Sequence, residues 1–345
     1  MKRATGRLAI ACALTLAFGS LMALATPAAA GLLDQVRQRG QLLCGANPGL
    51  AGFGVPDDSG RWTGFDVDYC RAIAAAIFGD PEKVKFVPLV AKDRFTALQT
   101  GEIDVLVRNT TWTMARDTAL GATFAAINFY DGQGFMTRRS LGLKSALELN
   151  GASICVQQGT THELNLADYF RSHDMKYEIV SFGSAAETIR AYDAGRCDAF
   201  TSDSSALYAE RLRLTSPDDH VVLPEIISRE PFGLAVRKGD PQWFDVVRWV
   251  GFGLVAAEDA GVTQANAVEK AQSSDPELRR MLGTEGRMGE AMGLRPDWLL
   301  QAVKAVGNYG EIYDRHFGKA SRLQIPRGLN RLWRDGGLMY APPIR

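Results

Sequence analysis

The chain of 345 residues has little of several features that would point to particular functions. It has no excess charge, because 39 Lys and Arg residues balance 39 Asp and Glu residues, and this leaves no basic surface for nucleic acid or anionic membranes. It has only 4 histidines and no Cys-x-x-Cys pair, which argues against a zinc site. It lacks the Gly-x-Ser-x-Gly motif of a hydrolase nucleophile. After residue 30, no apolar run approaches the roughly 20 residues that a membrane-spanning helix needs.

The first 30 residues have the pattern of a secretory signal peptide. A start with three basic residues is followed by the apolar run 8–24 and by three alanines before Gly31. We therefore predict that residues 1–30 are removed on export and that the mature chain is soluble. Removal takes away three of the 39 basic residues, so 36 basic and 39 acidic residues remain and the net charge becomes −3.

Four cysteines remain after the signal peptide, namely Cys44, Cys70, Cys155 and Cys197. An even number in an exported protein predicts disulfides, and four cysteines allow three connectivities. We favour Cys44–Cys70 and Cys155–Cys197, because each pair joins a predicted strand to a nearby element of the same half. Zinc is the alternative, but no histidine lies near these cysteines in the sequence.

Strand-like apolar runs alternate with amphipathic helices through most of the chain, which is typical of α/β folds with parallel sheets. Extended pieces at 127–130 and 134–137 indicate a crossing into a second lobe, and one at 233–237 indicates the return. We predict an α/β clamshell with two lobes, two crossings and a helical C-terminal extension packed on the first lobe. The predicted boundaries are 31–131 plus 237–345 for the first lobe with its extension, and 132–236 for the second lobe.

One stretch of the first lobe, residues 101–116, combines a buried strand with a polar tip. The apolar residues 105–107 form the strand, the polar residues 109–111 come next, and Thr113 predicts a helix N-cap that places Arg116 in the first turn. Helix N-termini attract anions, and a guanidinium binds a carboxylate with two parallel hydrogen bonds. The stretch therefore predicts a carboxylate site. The alternative is that Arg116 is a surface residue paired with a neighbouring acid.

The second lobe contains a matching unit at residues 195–203. Both units have the order Gly-x-x-Asp, apolar strand and polar tip, and the second ends at Asp203. Open α/β sheets bind ligands at the carboxyl ends of their strands, so both tips should face one cleft. The alternative for Asp203 is a plain helix N-cap.

Several stretches match a known family: 64–68, 94–104, 109–113, 130–135, 158–161 and 306–311. On these residues the chain resembles the periplasmic solute-binding proteins that supply polar amino acids to ABC importers. The resemblance implies a type II periplasmic-binding-protein fold and a monomer without cofactor in the periplasm. It implies high-affinity capture of L-amino acids by domain closure, of broad range with acidic and amide types included. Delivery would be to permease subunits in the inner membrane.

The resemblance also assigns roles to residues on the two strand tips. Arg116 matches the family arginine that binds the α-carboxylate of the ligand, and Thr111 and Asn109 match positions that donate to it or line the pocket. Asp203 matches the carboxylate that receives the α-ammonium group. Because Arg116 and Asp203 come from different lobes, a zwitterion can bridge them only when the cleft is closed.

Other matched positions would complete the pocket. Thr160 and Thr161 match the Gly-Thr-Thr turn of the second lobe, and Arg94 matches a position that selects the ligand side chain. A surface ion pair with a neighbouring acid is the alternative for Arg94. Leu50 stands where some relatives carry a stacking aromatic, which leaves Phe53 as an apolar wall, or core packing as its alternative role.

Trp112 is the other candidate for the apolar wall, and core packing is again the alternative.

Two rival functions remain. The first is an exported enzyme of the cyclohexadienyl or arogenate dehydratase type, for which His162 and Glu163 are the available acid–base candidates. The second is a sensory ligand-binding domain.

Overall fold

The computed structural model describes residues 31–345, so the predicted signal peptide lies outside the described residues. The helices are α1 Leu32–Arg39, α2 Phe65–Phe78, α3 Arg94–Thr100, α4 Met114–Ala119, α5 His162–Ser172, α6 Ala185–Asp193, α7 Ser204–Arg211, α8 Pro241–Asp259, α9 Ala267–Ala271, α10 Pro276–Met281, α11 Met288–Ala291, α12 Trp298–Val306 and α13 Tyr309–His316. In this part of the chain, no helix combines the length and the hydropathy that crossing a bilayer requires.

The strands are β1 Leu42–Ala46, β2 Val55–Pro56, β3 Trp62–Thr63, β4 Val84–Pro88, β5 Val105–Leu106, β6 Ala122–Asp131, β7 Gln133–Arg138, β8 Ser153–Gln157, β9 Glu178–Phe182, β10 Ala199–Asp203, β11 His220–Val222 and β12 Glu230–Arg237. One five-stranded sheet has the order β4-β1-β5-β12-β6, and a second has the order β11-β7-β10-β8-β9. The two sheets are the centres of the two lobes. A small hairpin pairs β2 with β3.

Both sheets are mixed rather than purely parallel. In the first sheet β1 is parallel to β4 and β5, whereas β12 runs antiparallel to β5 and β6. In the second sheet β8 is parallel to β9 and β10, and β7 runs antiparallel to β10 and β11. The antiparallel strands are those next to the connections between lobes, because a chain that leaves a lobe and later returns must run in opposite directions.

The outgoing connection between the two sheets, from β6 to β7, is short. Only Gly132 separates β6 from β7, and a Cβ added to Gly132 would lie 2.2 Å from Ile226, which runs in the returning connection. Glu230, the first residue of β12, pairs in register with Asp131, the last residue of β6. The first sheet therefore resumes at Glu230, earlier than the predicted boundary at residue 237.

The larger hydrophobic core belongs to the first lobe and continues into the C-terminal helices. Trp243 of α8, Trp298 of α12 and Tyr313 of α13 are each at most 2% exposed within it. The extension is also tied to the first lobe by an ion pair, because Nη1 of Arg315 donates to Asp68 of α2 at 2.5 Å. The second lobe has two smaller cores, one on each face of its sheet.

Both favoured disulfides are confirmed. Cys44 of β1 is bonded to Cys70 of α2, with their Cα atoms 6.2 Å apart. Cys155 of β8 is bonded to Cys197, which precedes β10, with a Cα separation of 5.6 Å. Each disulfide therefore stays within one lobe and joins the central sheet to a neighbouring element.

Candidate functional site

A cavity lies between the strand tips of the two sheets and encloses about 540 Å³ of empty space, its mouth included. Its lining residues are Asn47, Leu50, Arg94, Arg108, Asn109, Thr111, Gln157, Thr160, Thr161, His162, Ala185, Phe200, Ser202, Asp203, Ala206 and Glu210. Six of the eight sequence-predicted ligand residues are among them. The lobes touch around this cavity, since Arg94 donates to the carbonyl of Gly159 at 3.4 Å and Arg213 donates to that of Gly49 at 3.1 Å.

Arg116 lies against the wall of the cavity and is not one of its lining residues. The predicted N-cap is present, because the hydroxyl of Thr113 accepts a hydrogen bond from the backbone N–H of Arg116 at 3.2 Å. This cap fixes the start of α4, and Nη1 of Arg116 donates to the carbonyl of Thr111 at 2.9 Å. Burial lowers the pKa of Arg116, and the nearby charges of Glu230 and Asp203 oppose that shift. Arg116 is therefore a buried cation beside the cavity and not a surface residue.

Arg94, at the start of α3, is 3% exposed and lines the cavity. Its Nη1 donates to the hydroxyl of Thr110 at 3.3 Å, and its Nε is buried without a hydrogen-bond partner among the described residues. Burial, together with the positive charges of Arg116 and Arg108, lowers the pKa of Arg94 well below its ordinary value. The alternative, a surface ion pair, is wrong, because the side chain points away from solvent and forms no ion pair in residues 31–345.

Arg108 adds a third buried guanidinium, and sequence reasoning did not single it out. Its Nε donates to the carbonyl of Leu89 at 2.8 Å, and burial lowers its pKa to about 10. The next residue, Asn109, has a positive φ of 28° and receives support from two sides. Its backbone N–H donates to Asp66 at 2.7 Å, and its side-chain oxygen accepts from Asn47 at 3.0 Å. The strand tip is thereby held in an unusual backbone conformation that faces the cavity.

The second lobe places a carboxylate on the opposite wall. Asp203 precedes α7 and is 5% exposed, and its side chain does not cap that helix. Instead its Oδ1 lies 3.0 Å from Nε2 of His162, at the start of α5. Thr160 and Thr161, in the turn before α5, line the cavity as predicted. The plain N-cap role for Asp203 is therefore wrong.

Glu230 is the main feature of the site that sequence reasoning missed. It is 1% exposed and accepts hydrogen bonds from Thr111 of the first lobe and from Thr161 of the second lobe, the latter at 2.8 Å. Its other oxygen accepts from Asn165 and Ser228, each at 2.7 Å. Its sequence neighbourhood carries no motif, because its partners Thr111 and Thr161 lie 119 and 69 residues away.

Two predicted wall residues belong elsewhere. Phe53 is 1% exposed in a cluster of aromatic rings, with centroids 4.7 Å from Phe317 and 5.3 Å from Phe129, so it is a core residue and not a wall. Trp112 stacks on Phe124 at 5.5 Å outside the lining. The apolar lining comes instead from Leu50, Ala185, Phe200 and Ala206.

The cavity therefore has opposite charges on opposite walls. Three guanidinium groups come from the first lobe, Asp203 comes from the second, and Glu230 stands at the connection between them. Such a site suits a small molecule that carries an anionic and a cationic group close together.

Comparisons with known proteins agree with this geometry. The model of the bacterial extracellular solute-binding proteins, family 3, matches residues 42–319. The chain is 57% identical to the general L-amino acid-binding periplasmic protein AapJ of Rhizobium johnstonii over 323 residues, which are 93% of this chain and 95% of that protein. It is 54% identical to the glutamate/glutamine/aspartate/asparagine-binding protein BztA of Rhodobacter capsulatus over 332 residues, 95% of this chain and 98% of that one.

A solved structure is also similar. It is an ABC transporter periplasmic binding protein from Brucella ovis with glutathione bound, and it is 58% identical with a TM-score of 0.90. The match covers 92% of this chain and 100% of that one. With its two mixed α/β sheets and the cavity between them, the chain belongs to the family 3 bacterial extracellular solute-binding proteins and has their two-lobed type II fold.

Proposed function

We propose that this protein captures L-amino acids in the periplasm by closing its two lobes around them and delivers them to the permease of an ABC importer. The observation that carries the proposal is the placement of buried Arg116 and buried Asp203 in opposite lobes beside one cavity. A zwitterionic amino acid needs a cation for its carboxylate and an anion for its ammonium group. Charge-assisted hydrogen bonds contribute roughly 1.5–3 kcal/mol each, so a few of them support micromolar or tighter binding.

The cavity wall favours certain side chains. Arg94 and Arg108 line the cavity without an ion-pair partner in the described residues, and they would attract a carboxylate or an amide oxygen from the ligand side chain. Relatives named for general L-amino acids and for glutamate, glutamine, aspartate and asparagine support the same range. We therefore propose a broad specificity that includes acidic and amide side chains, in a monomer without cofactor.

Glutathione is a second candidate ligand, because the similar Brucella ovis protein holds it. Its γ-glutamyl group carries the same zwitterionic head group as glutamate, so Arg116 and Asp203 could bind it in the same way.

The enzyme alternative has less support. His162 is hydrogen-bonded to Asp203, and Glu163 accepts a hydrogen bond from the N–H of Gly159 within its own turn at 3.2 Å. General acid–base chemistry requires a group within reach of a substrate proton, and these two partners already occupy the candidates. The sensory alternative would require partners that nothing in residues 31–345 identifies.

Isothermal titration calorimetry on mature protein, residues 31–345, tests the proposal. The panel contains L-glutamate, L-glutamine, L-aspartate, an aliphatic and a cationic L-amino acid, the D-enantiomer of glutamate, glutathione and prephenate. We expect saturable one-to-one binding of several L-amino acids at micromolar or lower Kd. Binding of glutathione alone would favour the second candidate, and conversion of prephenate to phenylpyruvate, with loss of water and carbon dioxide, would favour the enzyme. No binding of any L-amino acid would contradict the proposal.

A further inference from the structure

The carboxylate of Asp203 is shared between the ligand subsite and His162. Asp203 is placed to receive the ligand's ammonium group, yet its Oδ1 already has a partner in Nε2 of His162 at 3.0 Å. An ionised carboxylate can only accept hydrogen bonds, so Nε2 carries the hydrogen. The side chains of His162 and Asp203 are 5% and 7% exposed, which keeps water from replacing this contact.

The position of His162 is fixed at its backbone. The residue begins α5, its N–H donates to the hydroxyl of Thr160 at 3.3 Å, and its carbonyl accepts from Gln133 at 3.2 Å. The other ring nitrogen, Nδ1, is buried and has no hydrogen-bond partner among the described residues. The imidazole is therefore committed to one strong contact, the one with Asp203.

Charged groups face this pair from several elements. They are Asp131 at the end of β6, Arg94 in α3, Arg108 after β5, Arg116 in α4 and Glu230 in β12. Burial alone would lower the pKa of His162, but the charge of Asp203, the hydrogen bond to it and the charge of Glu230 outweigh burial and raise that pKa. Burial and the charge of Asp203 raise the pKa of Asp131 to about 7. The pKa values of His162 and Asp131 are therefore both raised by their surroundings.

We propose that His162 is a positioning residue for the ammonium subsite. Its imidazole holds Oδ1 of Asp203, leaves Oδ2 for the ligand and releases a proton when the ligand binds. This inference rests on the proposed function. The ammonium group of an amino acid on Asp203 brings a positive charge close to the imidazolium, and a like charge disfavours the protonated form. The proton passes from His162 to solvent, and neutral His162 keeps its Nε2–H on Asp203.

The sign of the pH dependence is set by linkage between protonation and binding. In the free protein His162 stays charged up to a pH above its ordinary pKa, whereas in the complex the ammonium group lowers its pKa. Between these two pKa values, binding releases a proton and affinity increases with pH, by up to about tenfold per pH unit. Below the lower and above the higher of the two pKa values of His162, affinity does not depend on pH.

The test is calorimetry with L-glutamine, whose side chain does not titrate, on the mature chain from about pH 5 to about pH 8.5. The variant His162→Gln carries an amide that can donate to Asp203 but does not titrate in this range. We expect wild-type affinity to rise with pH, and the variant to bind within about threefold of the wild-type value at high pH, with a flat profile. In wild type near neutral pH, the binding heat should change with the ionisation enthalpy of the buffer in the direction of proton release.

The variant Asp131→Asn is the matched control, since the charge of Asp203 helps to raise the pKa of Asp131 to about 7. We expect it to keep the wild-type pH profile. The inference is overturned if His162→Gln keeps that profile, if Asp131→Asn removes it, or if wild type takes up a proton on binding. The buffer experiment uses wild type alone, so binding without proton release contradicts the inference even if a variant does not fold. Binding of L-glutamine with equal affinity at every pH contradicts this inference alone, whereas no binding of any L-amino acid at any pH contradicts the proposed function as well.

Discussion

In both lobes, the strand that leads to the cavity starts with the same hydrogen bond from a backbone N–H to an aspartate. In the first lobe, Asp104 precedes β5 and accepts a hydrogen bond from the N–H of Leu43 at 2.7 Å. In the second lobe, Asp198 precedes β10 and accepts one from the N–H of Ser153 at 2.8 Å. Each carboxylate thus ties the start of one strand to its parallel neighbour, β1 or β8.

The lobes differ in the charged residues that lie beyond that device. The first tip continues to Arg108 and Arg116, and the second ends at Asp203. The backbone requirement is the same in both lobes because a parallel strand pair must be started in both. Under the proposed function, the opposite charges match the anionic and cationic groups that an amino acid carries on one carbon atom. The hydrogen bond that both lobes share therefore belongs to the fold, and we attribute the charges that differ between them to the proposed ligand.

The largest expected effect concerns the disulfides, of which each lobe has one. Replacing Cys44 and Cys70 together by Ala, or Cys155 and Cys197 together by Ala, should each lower the free energy of unfolding by about 3–4 kcal/mol in the chain-entropy model. Urea unfolding of the two double variants measures this. Ligand affinity of folded protein should stay near wild type. Loss of binding without loss of stability in either variant would contradict the view that the disulfides stabilise the fold and do not contribute to ligand binding.

The second prediction tests the opposite charges directly. Arg116→Ala and Asp203→Asn should each weaken amino-acid binding by about 100-fold or more, because each leaves a charge of the ligand buried without its partner. Calorimetry gives the affinities, and circular dichroism checks folding. Arg171→Ala is the matched control, since that arginine side chain is 80% exposed and should not matter. Unchanged affinity in both variants would contradict the proposal that Arg116 and Asp203 bind the two charged groups of the ligand.

A third and smaller effect belongs to the first lobe alone, which carries the C-terminal extension. Asn330 accepts from the N–H of Tyr130 at 2.7 Å and donates to its carbonyl at 3.0 Å, on edge strand β6. Asn330→Ala should cost about 1–2 kcal/mol, because both backbone groups lose a partner. Thermal and urea unfolding measure the loss. Leu329→Ala, at a side chain that is 55% exposed, should be nearly neutral, and equal losses in both would refute the role of the amide pair.

The smallest effect distinguishes Asp104 from Asp198. Hydrogen bonds from the side chain and backbone of Ser153 lower the pKa of exposed Asp198, so its contribution to stability is present above the unfolded-state pKa and is lost as pH falls through the folded-state value. Burial raises the pKa of Asp104. The free energy of unfolding therefore falls as pH rises from the pKa of Asp104 in the unfolded state to its pKa in the folded state. Asp198→Asn should therefore flatten the acid side of the stability–pH curve, whereas Asp104→Asn should not. Curves of unfolding free energy against pH for both variants measure this, and identical curves would contradict the difference.

Much of this molecule could be predicted from local pattern. The alternation of strands and helices, the N-cap at Thr113 and both disulfides depend on residues close in sequence or on an even cysteine count. Other features could not be predicted in this way. Phe53 has the composition of an apolar wall, but rings from three distant segments cover it in the core. The carboxylate of Asp66, in the first turn of α2, accepts a hydrogen bond from Asn109, which lies 43 residues away.

By itself, the sequence determined which segments become strands and helices, which cysteines can pair, and which charged residues stand on strand tips. These properties depend on periodicity and on neighbours within a few turns of chain. Only the tertiary structure decided that Glu230 bonds to both lobes, that His162 contacts Asp203, and that Arg94 and Arg108 line the same cavity. The physical reason is that burial and long-range pairing set the energy of a charge, and both exist only once the two sheets have come together.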